Sequence, residues 1–248
     1  GGAKSVEDDE EDESGVGPHD DTSLHNVEFV PYHRPPHMKG DADTMLTLAT
    51  NHLTLLQSRR SVRYFSDAPV PEEVIRKLIM AAGTSPSGAH CQPWRFVAVR
   101  DAATKAAIRA IVEAEERLNY EKRMAREWVD ALKPLRTDHN KPYLSTADTL
   151  ICMFKQRHRV GQDGREVRNY YVEESCGIAA GLLIGAIHAA GLCTLTSTPL
   201  NAGSKIRALL KRPSEERLFL LLPVGLPHPD ATVPKLTRLP FASIATVV

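Results

Sequence analysis

The sequence carries no excess charge of either sign and no long run of lysine or arginine, although a quarter of its 248 residues are charged. Nucleic-acid-binding domains usually display a basic patch or stripe, so its absence argues against that class. Glycine and proline are present in average amounts, which argues against collagen-like, mucin-like and coiled-coil proteins, and no internal repeat is evident. With 42% hydrophobic residues, the composition is that of a soluble globular protein.

Cysteine is scarce and scattered. The four cysteines, Cys91, Cys152, Cys176 and Cys193, form no Cys-x-x-Cys motif. Because structural zinc sites and disulfide frameworks need such clustering, neither is predicted, and we expect free thiols in a reducing compartment. The ten histidines show no metal-ligand spacing either. The sequence therefore predicts no metal site.

Long uncharged stretches are also rare. Residues 176–195 alone are long enough and apolar enough to raise the question of a membrane span. Gly191 interrupts this stretch, and the residues after it have strand-like composition, so we predict a buried core helix that runs into a strand. Gly177, Gly181 and Gly185 recur at every fourth position, which favours close packing of another helix at a core or dimer seam.

The zero net charge conceals an uneven distribution along the chain. Residues 1–22 hold nine acidic residues against Lys4 alone, a formal charge of −8, so the remainder carries +8. An acidic block without aromatic or large apolar residues cannot offset the entropy of ordering it, so we predict a disordered linker there. The basic remainder, residues 23–248, is predicted to form one α/β or α+β domain that binds a small anion.

Apolar spacing predicts the main elements of this domain. Helical periodicity covers residues 41–57, with Asp41 or Asp43 as N-cap, and residues 71–82, which Gly83 ends. A third, interrupted helix is predicted from the cap Asp101 to Leu132. Short apolar runs predict strands at residues 94–99, 150–154 and 218–224.

Two segments carry groups suited to an anionic ligand. The first is Arg59-Arg60-Ser61-Val62-Arg63, whose guanidinium groups are planar, permanently charged donors that match a phosphate. The second is the loop of small residues from Thr84 to Trp94, where backbone N–H groups can approach a ligand closely. Taken alone, the first is also compatible with a solvated basic helix end, and the second with a simple connector.

The order and spacing of these segments carry a family resemblance. Arg-Arg-Ser-x-Arg stands about 25 residues before Pro-Ser-Gly-x-x-x-Gln-Pro-Trp, and Thr-Leu-Thr-Ser-Thr-Pro-Leu follows far downstream. Over residues 45–240 this order resembles the FMN-dependent nitroreductase superfamily. Glu116, Tyr120, Lys141 and the run from Thr196 to Asn201 are similar to its iodotyrosine deiodinase branch rather than to bacterial nitroreductases. The resemblance implies a nitroreductase-like α+β fold, a mostly antiparallel sheet flanked by helices in an intertwined homodimer.

The resemblance also implies roles for individual residues. It places FMN against Arg59, Arg60, Ser61, Val62, Arg63, Pro86, Ser87, Thr196, Ser197, Thr198 and Arg238, with the Thr198 hydroxyl donating to flavin N5. It places the substrate zwitterion and phenolate against Glu116, Tyr120, Lys141 and the backbone of Ala89. Thr198 and Ala89 are the residues expected to act in catalysis.

Elementary chemistry agrees with part of this assignment. A zwitterion needs an acceptor for its ammonium and a cation for its carboxylate, and Glu116 and Lys141 supply one of each. Glu116 and Tyr120 stand four residues apart, which puts them on one helix face. The surrounding stretch is highly charged, however, so this spacing is also compatible with an ordinary solvated helix. His90 and Cys91 receive no role, because a flavin makes a thiol nucleophile unnecessary.

The expected function is FMN-dependent reductive deiodination of mono- and diiodotyrosine to tyrosine and iodide. NADPH is the expected ultimate donor, acting through a partner flavin reductase. The alternatives are a general NAD(P)H-dependent nitro or quinone reductase and, from another class, a non-catalytic module that binds flavin or an aromatic amino acid. The resemblance further implies that the full-length protein has an N-terminal membrane anchor, which is absent from this soluble chain.

Overall fold

The structure is a computed structural model that describes residues 28–33, 35, 38, 40–160 and 164–248. The acidic block predicted over residues 1–22 lies outside the described residues. The sequence-predicted elements are present where they fall within the described part of the chain. They are mixed helices and strands, in the arrangement expected from the α+β prediction.

A four-stranded antiparallel sheet forms the centre of the fold. Its strands lie in the order β1, β2, β6, β5, so the last strand in sequence occupies a central position. The strands are β1 (Trp94–Val99), β2 (Thr149–Gln156), β5 (Cys193–Thr194) and β6 (Glu216–Gly225). Strands β2 and β6 are densely apolar, which is why they take the buried centre. A separate hairpin pairs β3 (His158–Val160) with β4 (Glu166–Arg168).

Helices flank this sheet. They are α1 (Ala42–Ser58), α2 (Glu72–Gly83), α3 (Ala102–Leu118), α4 (Arg126–Leu132), α5 (Tyr143–Thr146), α6 (Val172–Ala189), α7 (Gly203–Leu209) and α8 (Phe241–Ile244). The side chain of Asp41 caps α1 by accepting from Thr44 N at 2.8 Å, and Asp101 caps α3 in the same way. The predicted interruption of the third helix is a π-helical turn, Asn119–Arg123, between α3 and α4.

Helix α6 is long and apolar enough to meet the length and composition criteria of a membrane span. One of its faces is nevertheless core: Cys176, Ala179, Leu183 and Ile187 are fully buried against the sheet and α2. The prediction of a buried helix followed by a strand is thus confirmed. Its glycine ridge lies on the other face, where a Cβ built on Gly177, Gly181 or Gly185 meets no atom within 4 Å.

Helix α1 does not bury its apolar stripe within the chain. None of its residues is buried, and Met45, Leu46 and Leu53 are 54%, 69% and 56% exposed. Sequence periodicity predicts the helix correctly, but the described residues of one chain leave most of this face uncovered. With Ile178 and Leu182 of α6, also about half exposed, α1 leaves a large apolar surface.

Candidate functional site

A cluster of four arginines is assembled where α1 ends. Arg59 follows α1 directly, and the next residues are tied to the sheet: Ser61 bridges to Thr194, and Val62 N donates to Thr194 O at 3.1 Å. The C-terminal segment brings Arg238 to the same place. A cavity of about 130 Å³ there is lined by Arg60, Ser61, Arg63, Leu135, Val233, Pro234, Leu236 and Arg238.

The positive charge of the arginine cluster is not neutralised by carboxylates of the described residues. Among the described residues, no carboxylate forms an ion pair with Arg59, Arg60, Arg63 or Arg238. Burial and then the like charges of Arg238 and Arg60 lower the pKa of Arg59. Concentrated positive charge without a protein counter-ion suits an anionic ligand with several acceptor oxygens.

The loop from Pro86 to Gln92 is backbone-strained. Ala89, His90 and Gln92 all have left-handed dihedrals, with φ of 45°, 54° and 47°. Such conformations are costly for non-glycine residues and cluster at functional sites. The side chain of Ser87 holds the loop by accepting from Gln92 N at 2.9 Å.

Only glycine fits at position 88. A Cβ there would lie 2.8 Å from Cδ2 of Tyr171 and 3.0 Å from the Tyr170 carbonyl oxygen. Gly88 N donates to Ser175 Oγ at 3.3 Å, which anchors the loop to the beginning of α6. Cys91 of the same loop accepts from Arg159 Nη1 at 3.4 Å and, like the other three cysteines, is a free thiol.

The structure separates the loop from the arginine cluster within one chain. Ser58, next to the cluster, bonds His188 Nε2 at 2.7 Å near the end of α6, whereas Gly88 bonds Ser175 near its beginning. Because an α-helix rises about 1.5 Å per residue, these two anchor points lie about 20 Å apart. Ser87 and Ala89 therefore do not meet Arg59 to Arg63 inside a single copy.

The three residues predicted to hold a zwitterion do come together. Lys141 Nζ lies 3.4 Å from Glu116 Oε2 and 5.7 Å from the centre of the Tyr120 ring. The side chains of Lys141 and Glu116 are only 7% and 15% exposed. Lys141 is fixed through its backbone N–H, which donates to Glu113 at 2.7 Å, and its Nζ also donates to the Asp138 carbonyl oxygen.

The local helix geometry differs from the prediction. Glu116 belongs to α3, but Tyr120 lies in the π-helical turn, so the two are not simple neighbours on one α-helical face. The wider turn reorients the Tyr120 side chain, and single π-helical turns are frequent at functional sites. Burial and then the Glu116 carboxylate raise the pKa of Tyr120, so its phenol stays protonated near neutral pH.

Sequence reasoning missed two residues of this cluster. Tyr143 of α5 is buried, and burial raises the pKa of its phenol although Arg63 opposes the shift. The positive charge of Arg63 also opposes the rise in the pKa of Tyr120. Asn119 is 1% exposed and bonds Glu116 directly at 3.3 Å. Nothing in the sequence distinguishes Asn119 from the other polar residues of this charged stretch, because its burial is visible only in the structure.

The hydroxyl run after β5 continues along the sheet edge. Ser197 pairs with Leu221 through two backbone bonds of 3.1 and 2.8 Å. Because successive strand side chains alternate, Thr196 and Thr198 share a side, and both are exposed. Neither hydroxyl has a hydrogen-bond partner among the residues that the structure describes. Both are thus available to a ligand at this edge.

Comparisons with known proteins place this geometry in context. The nitroreductase family matches residues 56–226. Iodotyrosine deiodinase 1 of Homo sapiens is 47% identical over 226 residues, which cover 91% of this chain and 77% of that protein. Iodotyrosine deiodinase of Hydra vulgaris is 46% identical over 217 residues, 88% of this chain and 79% of that protein.

A solved structure supports the same family assignment. The crystal structure of an oxidized iodotyrosine deiodinase bound to FMN and 3-iodo-L-tyrosine matches with a TM-score of 0.69 at 30% identity. The match covers 79% of this chain and all of that one. The nitroreductase-like fold expected from the sequence is thereby confirmed, and the homodimer stays a prediction.

Proposed function

We infer the function from one premise: this chain belongs to the nitroreductase family and, within it, to the iodotyrosine deiodinases. We propose that it binds FMN and reductively deiodinates mono- and diiodotyrosine. The observation that carries the proposal is that one chain holds both a cluster of arginines without a carboxylate partner among the described residues and a mostly buried Glu116–Lys141 pair. One half suits a phosphate, and the other suits an amino acid.

The residues present fit FMN. Four guanidinium groups without a carboxylate partner in the described chain match a phosphate dianion, which accepts several charge-assisted hydrogen bonds. Arg59, Arg60, Arg63 and Arg238 would hold this phosphate, with Ser61 and Val62 alongside the ribityl chain. Thr196 and Ser197 would line the ring together with Pro86 and Ser87. The Thr198 hydroxyl would donate to flavin N5.

The Glu116–Lys141 pair supports an amino-acid substrate. These charges neutralise each other at 3.4 Å in a mostly buried position. A zwitterion can insert between them, giving its ammonium to Glu116 and its carboxylate to Lys141 and Tyr120, so that each buried charge keeps a partner. A ligand with one charge would leave the other residue unpaired, which is costly in a buried site. The site therefore selects for an amino acid rather than a simple phenol.

The phenol end of the substrate needs a donor. The Ala89 N–H, presented by the strained loop, is proposed to donate to the phenolate oxygen, whose ionisation the ortho iodine favours. When bound and reduced, FMN would supply the two electrons for carbon–iodine cleavage, in which the ring carbon gains a proton and iodide leaves. The protein's contribution is to position the phenolate and the zwitterion of the substrate relative to the flavin, and to donate the hydrogen bond at N5.

The separation of the loop from the arginine cluster supports a homodimer with shared sites. Since about 20 Å of α6 lies between them in one chain, Ser87 and Ala89 can reach FMN only from a second copy. The exposed apolar face of α1 and the glycine ridge of α6 supply an apolar surface that a partner would cover. Each of the two sites then combines one copy's arginines with the other copy's loop.

Two further parts of the proposal concern the surroundings of the enzyme. NADPH is proposed as the ultimate donor, through a flavin reductase partner. A membrane anchor outside this chain is proposed from the family resemblance; the chain spans 77% of the human relative's length.

An anaerobic titration tests the proposed function. The protein is purified, its bound flavin is identified and counted, and it is reduced with dithionite and titrated with diiodotyrosine. We expect about one FMN per chain, reoxidation of the flavin by diiodotyrosine, and matching release of iodide. Dichroic or fluorescence changes without reoxidation would indicate a binding module. Reoxidation by 2-iodophenol or a nitroaromatic, but not by iodotyrosine, would indicate a general reductase and refute deiodination.

A further inference from the structure

A single buried amide lies between the Glu116 cluster and the segment that follows Thr198. Asn119 opens the π-helical turn and is 1% exposed. Its Nδ2 donates to Glu116 Oε1 and to the Leu200 carbonyl oxygen, both at 3.3 Å. Its Oδ1 accepts from Arg123 Nη1 and Asn201 Nδ2, both at 3.2 Å.

These four bonds use the whole hydrogen-bonding capacity of the side chain. A primary amide has two N–H donors and two acceptor positions on its oxygen, and each has a partner here. Leucine has no such groups, and aspartate lacks the donors. Only an amide of this length satisfies two acceptors on one side and two donors on the other.

The partners of Asn119 belong to different parts of the fold. Glu116 lies on α3, and Leu200 and Asn201 lie in the loop before α7, just after Thr198. Asn201 has a left-handed φ of 65°, so this loop is held in a conformation that it does not adopt freely. Arg123 is itself fixed by Glu115 at 2.7 Å, and Glu115 also pairs with Lys205 at 2.6 Å.

The arrangement also orients the Glu116 carboxylate. Because Asn119 occupies Oε1, Oε2 is the oxygen that lies toward Lys141. A freely rotating carboxylate would lose rotamer entropy when a ligand binds it, whereas one held on a buried amide is already in place.

We propose that Asn119 is the positioning residue that fixes the Glu116 carboxylate for the substrate ammonium and, through Leu200 and Asn201, holds the segment carrying Thr198. This rests on the proposed function, because it presumes that Glu116 receives an ammonium group. At 1% exposure, Asn119 has almost no surface with which to touch a ligand itself. Halotyrosine affinity therefore depends on Asn119, whereas FMN retention, which rests mainly on the arginine cluster, should change little.

The test uses the FMN-loaded protein and 3-fluorotyrosine, with binding followed by quenching of flavin fluorescence. Asn119→Asp replaces both donors with an oxygen that faces Glu116 Oε1 and the Leu200 carbonyl oxygen. We expect it to weaken 3-fluorotyrosine binding by about tenfold or more, since two hydrogen bonds become repulsive contacts. FMN content and nitroaromatic reduction should stay within about twofold of wild type. Asn119→Ala, which removes the amide without adding a charge or a new donor, serves if the Asp variant does not fold.

Lys205→Met is the matched control. It breaks the Lys205–Glu115 pair at the far end of the same network, but Lys205 contacts neither Asn119 nor Glu116 and is 57% exposed. We expect its 3-fluorotyrosine affinity to remain within about twofold of wild type. Equal loss of affinity in Lys205→Met and Asn119→Asp would mean that general loosening of the turn is responsible, and would overturn the proposal.

A double-mutant cycle decides whether Asn119 acts through Glu116. In a Glu116→Gln background, Asn119→Asp should weaken binding by much less than it does in the wild-type background. An undiminished effect there, or unchanged affinity of the single variant, would refute the positioning role alone. If wild-type protein does not bind 3-fluorotyrosine at all, the proposed function fails, and this proposal fails with it.

Discussion

At the scale of single residues, substitutions in the Glu116–Lys141 pair should affect the free energy of unfolding and the deiodinase activity differently. Glu116→Gln or Lys141→Met leaves a mostly buried charge without its partner, which costs about 3 kcal/mol. The double variant removes both charges and should recover most of this stability. All three variants should lose roughly 100-fold or more in kcat/KM for iodotyrosine, because the zwitterion loses a partner.

Thermal unfolding and steady-state kinetics check this prediction. A nitroaromatic without a zwitterion is the control substrate, and its reduction should remain near the wild-type rate in each variant. Full deiodinase activity in the double variant would show that the zwitterion is bound elsewhere.

Substitution of Thr198 should change the ratio of deiodination to nitroaromatic reduction. Its exposed hydroxyl, without a partner in the described chain, is proposed to donate to flavin N5, a contact that hydride transfer does not need from a side chain. Thr198→Ala should lose about tenfold or more in deiodination while retaining nitroaromatic reduction. Thr198→Ser, which keeps the hydroxyl, should restore the ratio. A parallel fall of both activities in Thr198→Ala would contradict a specific role at N5.

At the scale of secondary-structure elements, Gly181 of α6 distinguishes a packing surface from a solvent-facing one. A Cβ at this position meets no atom of another described segment within 4 Å, so Gly181→Leu should not disturb the folded monomer and should favour the helix. A partner helix against the ridge would be displaced. We therefore expect a shift from dimer to monomer in light scattering, with loss of bound FMN. A dimer that forms normally and retains its flavin would place the interface elsewhere.

Glu115 ties α3 to the π-helical turn and to α7, and its ionisation gives a pH-dependent prediction. Hydrogen bonds from Lys205 and then Arg123 lower the pKa of Glu115. A lowered pKa stabilises the folded state above the ordinary glutamate value of about 4.3, and this contribution is lost as pH falls through the folded-state pKa. Glu115→Gln should therefore lower Tm at pH 7, and the difference from wild type should shrink below about pH 4. The exposed Glu121→Gln serves as control and should show no such trend.

The elements also show how far sequence reasoning extends. The span predicted for α2, residues 71–82, differs by one residue at each end from Glu72–Gly83, because apolar spacing and a terminal glycine are local signals. The π-helical turn was foreseen only as an interruption, since it depends on Asn119 bonds to the distant Leu200. Helical periodicity identifies the apolar stripe of α1. It shows that this face should be buried, but it does not show whether the same chain or a second copy buries it.

The site shows the same limit. The residues from Arg59 to Arg63 indicate an anion site by their own chemistry. Arg238 instead lies in the irregular segment between β6 and α8, where no local pattern points to a site. Its place beside Arg60 came from the family resemblance, and the cavity that both residues line agrees with it. The roles assigned to these residues stay predictions.

At the scale of the whole molecule, a shared site predicts complementation between two defective chains. One chain carries Arg60→Ala with Arg238→Ala, and the other carries Gly88→Val, whose side chain would collide with Tyr171. Each homodimer should be inactive. In the mixed dimer, one site combines intact arginines with an intact loop, so purified heterodimers should regain about half the wild-type activity.

Differently tagged copies allow the heterodimer to be isolated and assayed for flavin and iodide release. Sites built within single chains would each carry one defect in the mixed dimer. An inactive heterodimer would therefore refute the shared arrangement while leaving the dimer itself possible.

The backbone N–H of Ala89, on its strained loop, also bears on how strongly the enzyme would bind its own product, tyrosine. Tyrosine carries the same zwitterion as iodotyrosine, so Glu116 and Lys141 cannot tell the two apart. The difference lies in the phenol, which in tyrosine stays protonated to a pKa of about 10. A peptide N–H donates a stronger, charge-assisted hydrogen bond to a phenolate than to the oxygen of a neutral phenol. This one backbone amide would thus favour iodotyrosine over tyrosine, and would weaken the hold on each product molecule once its halogen is gone.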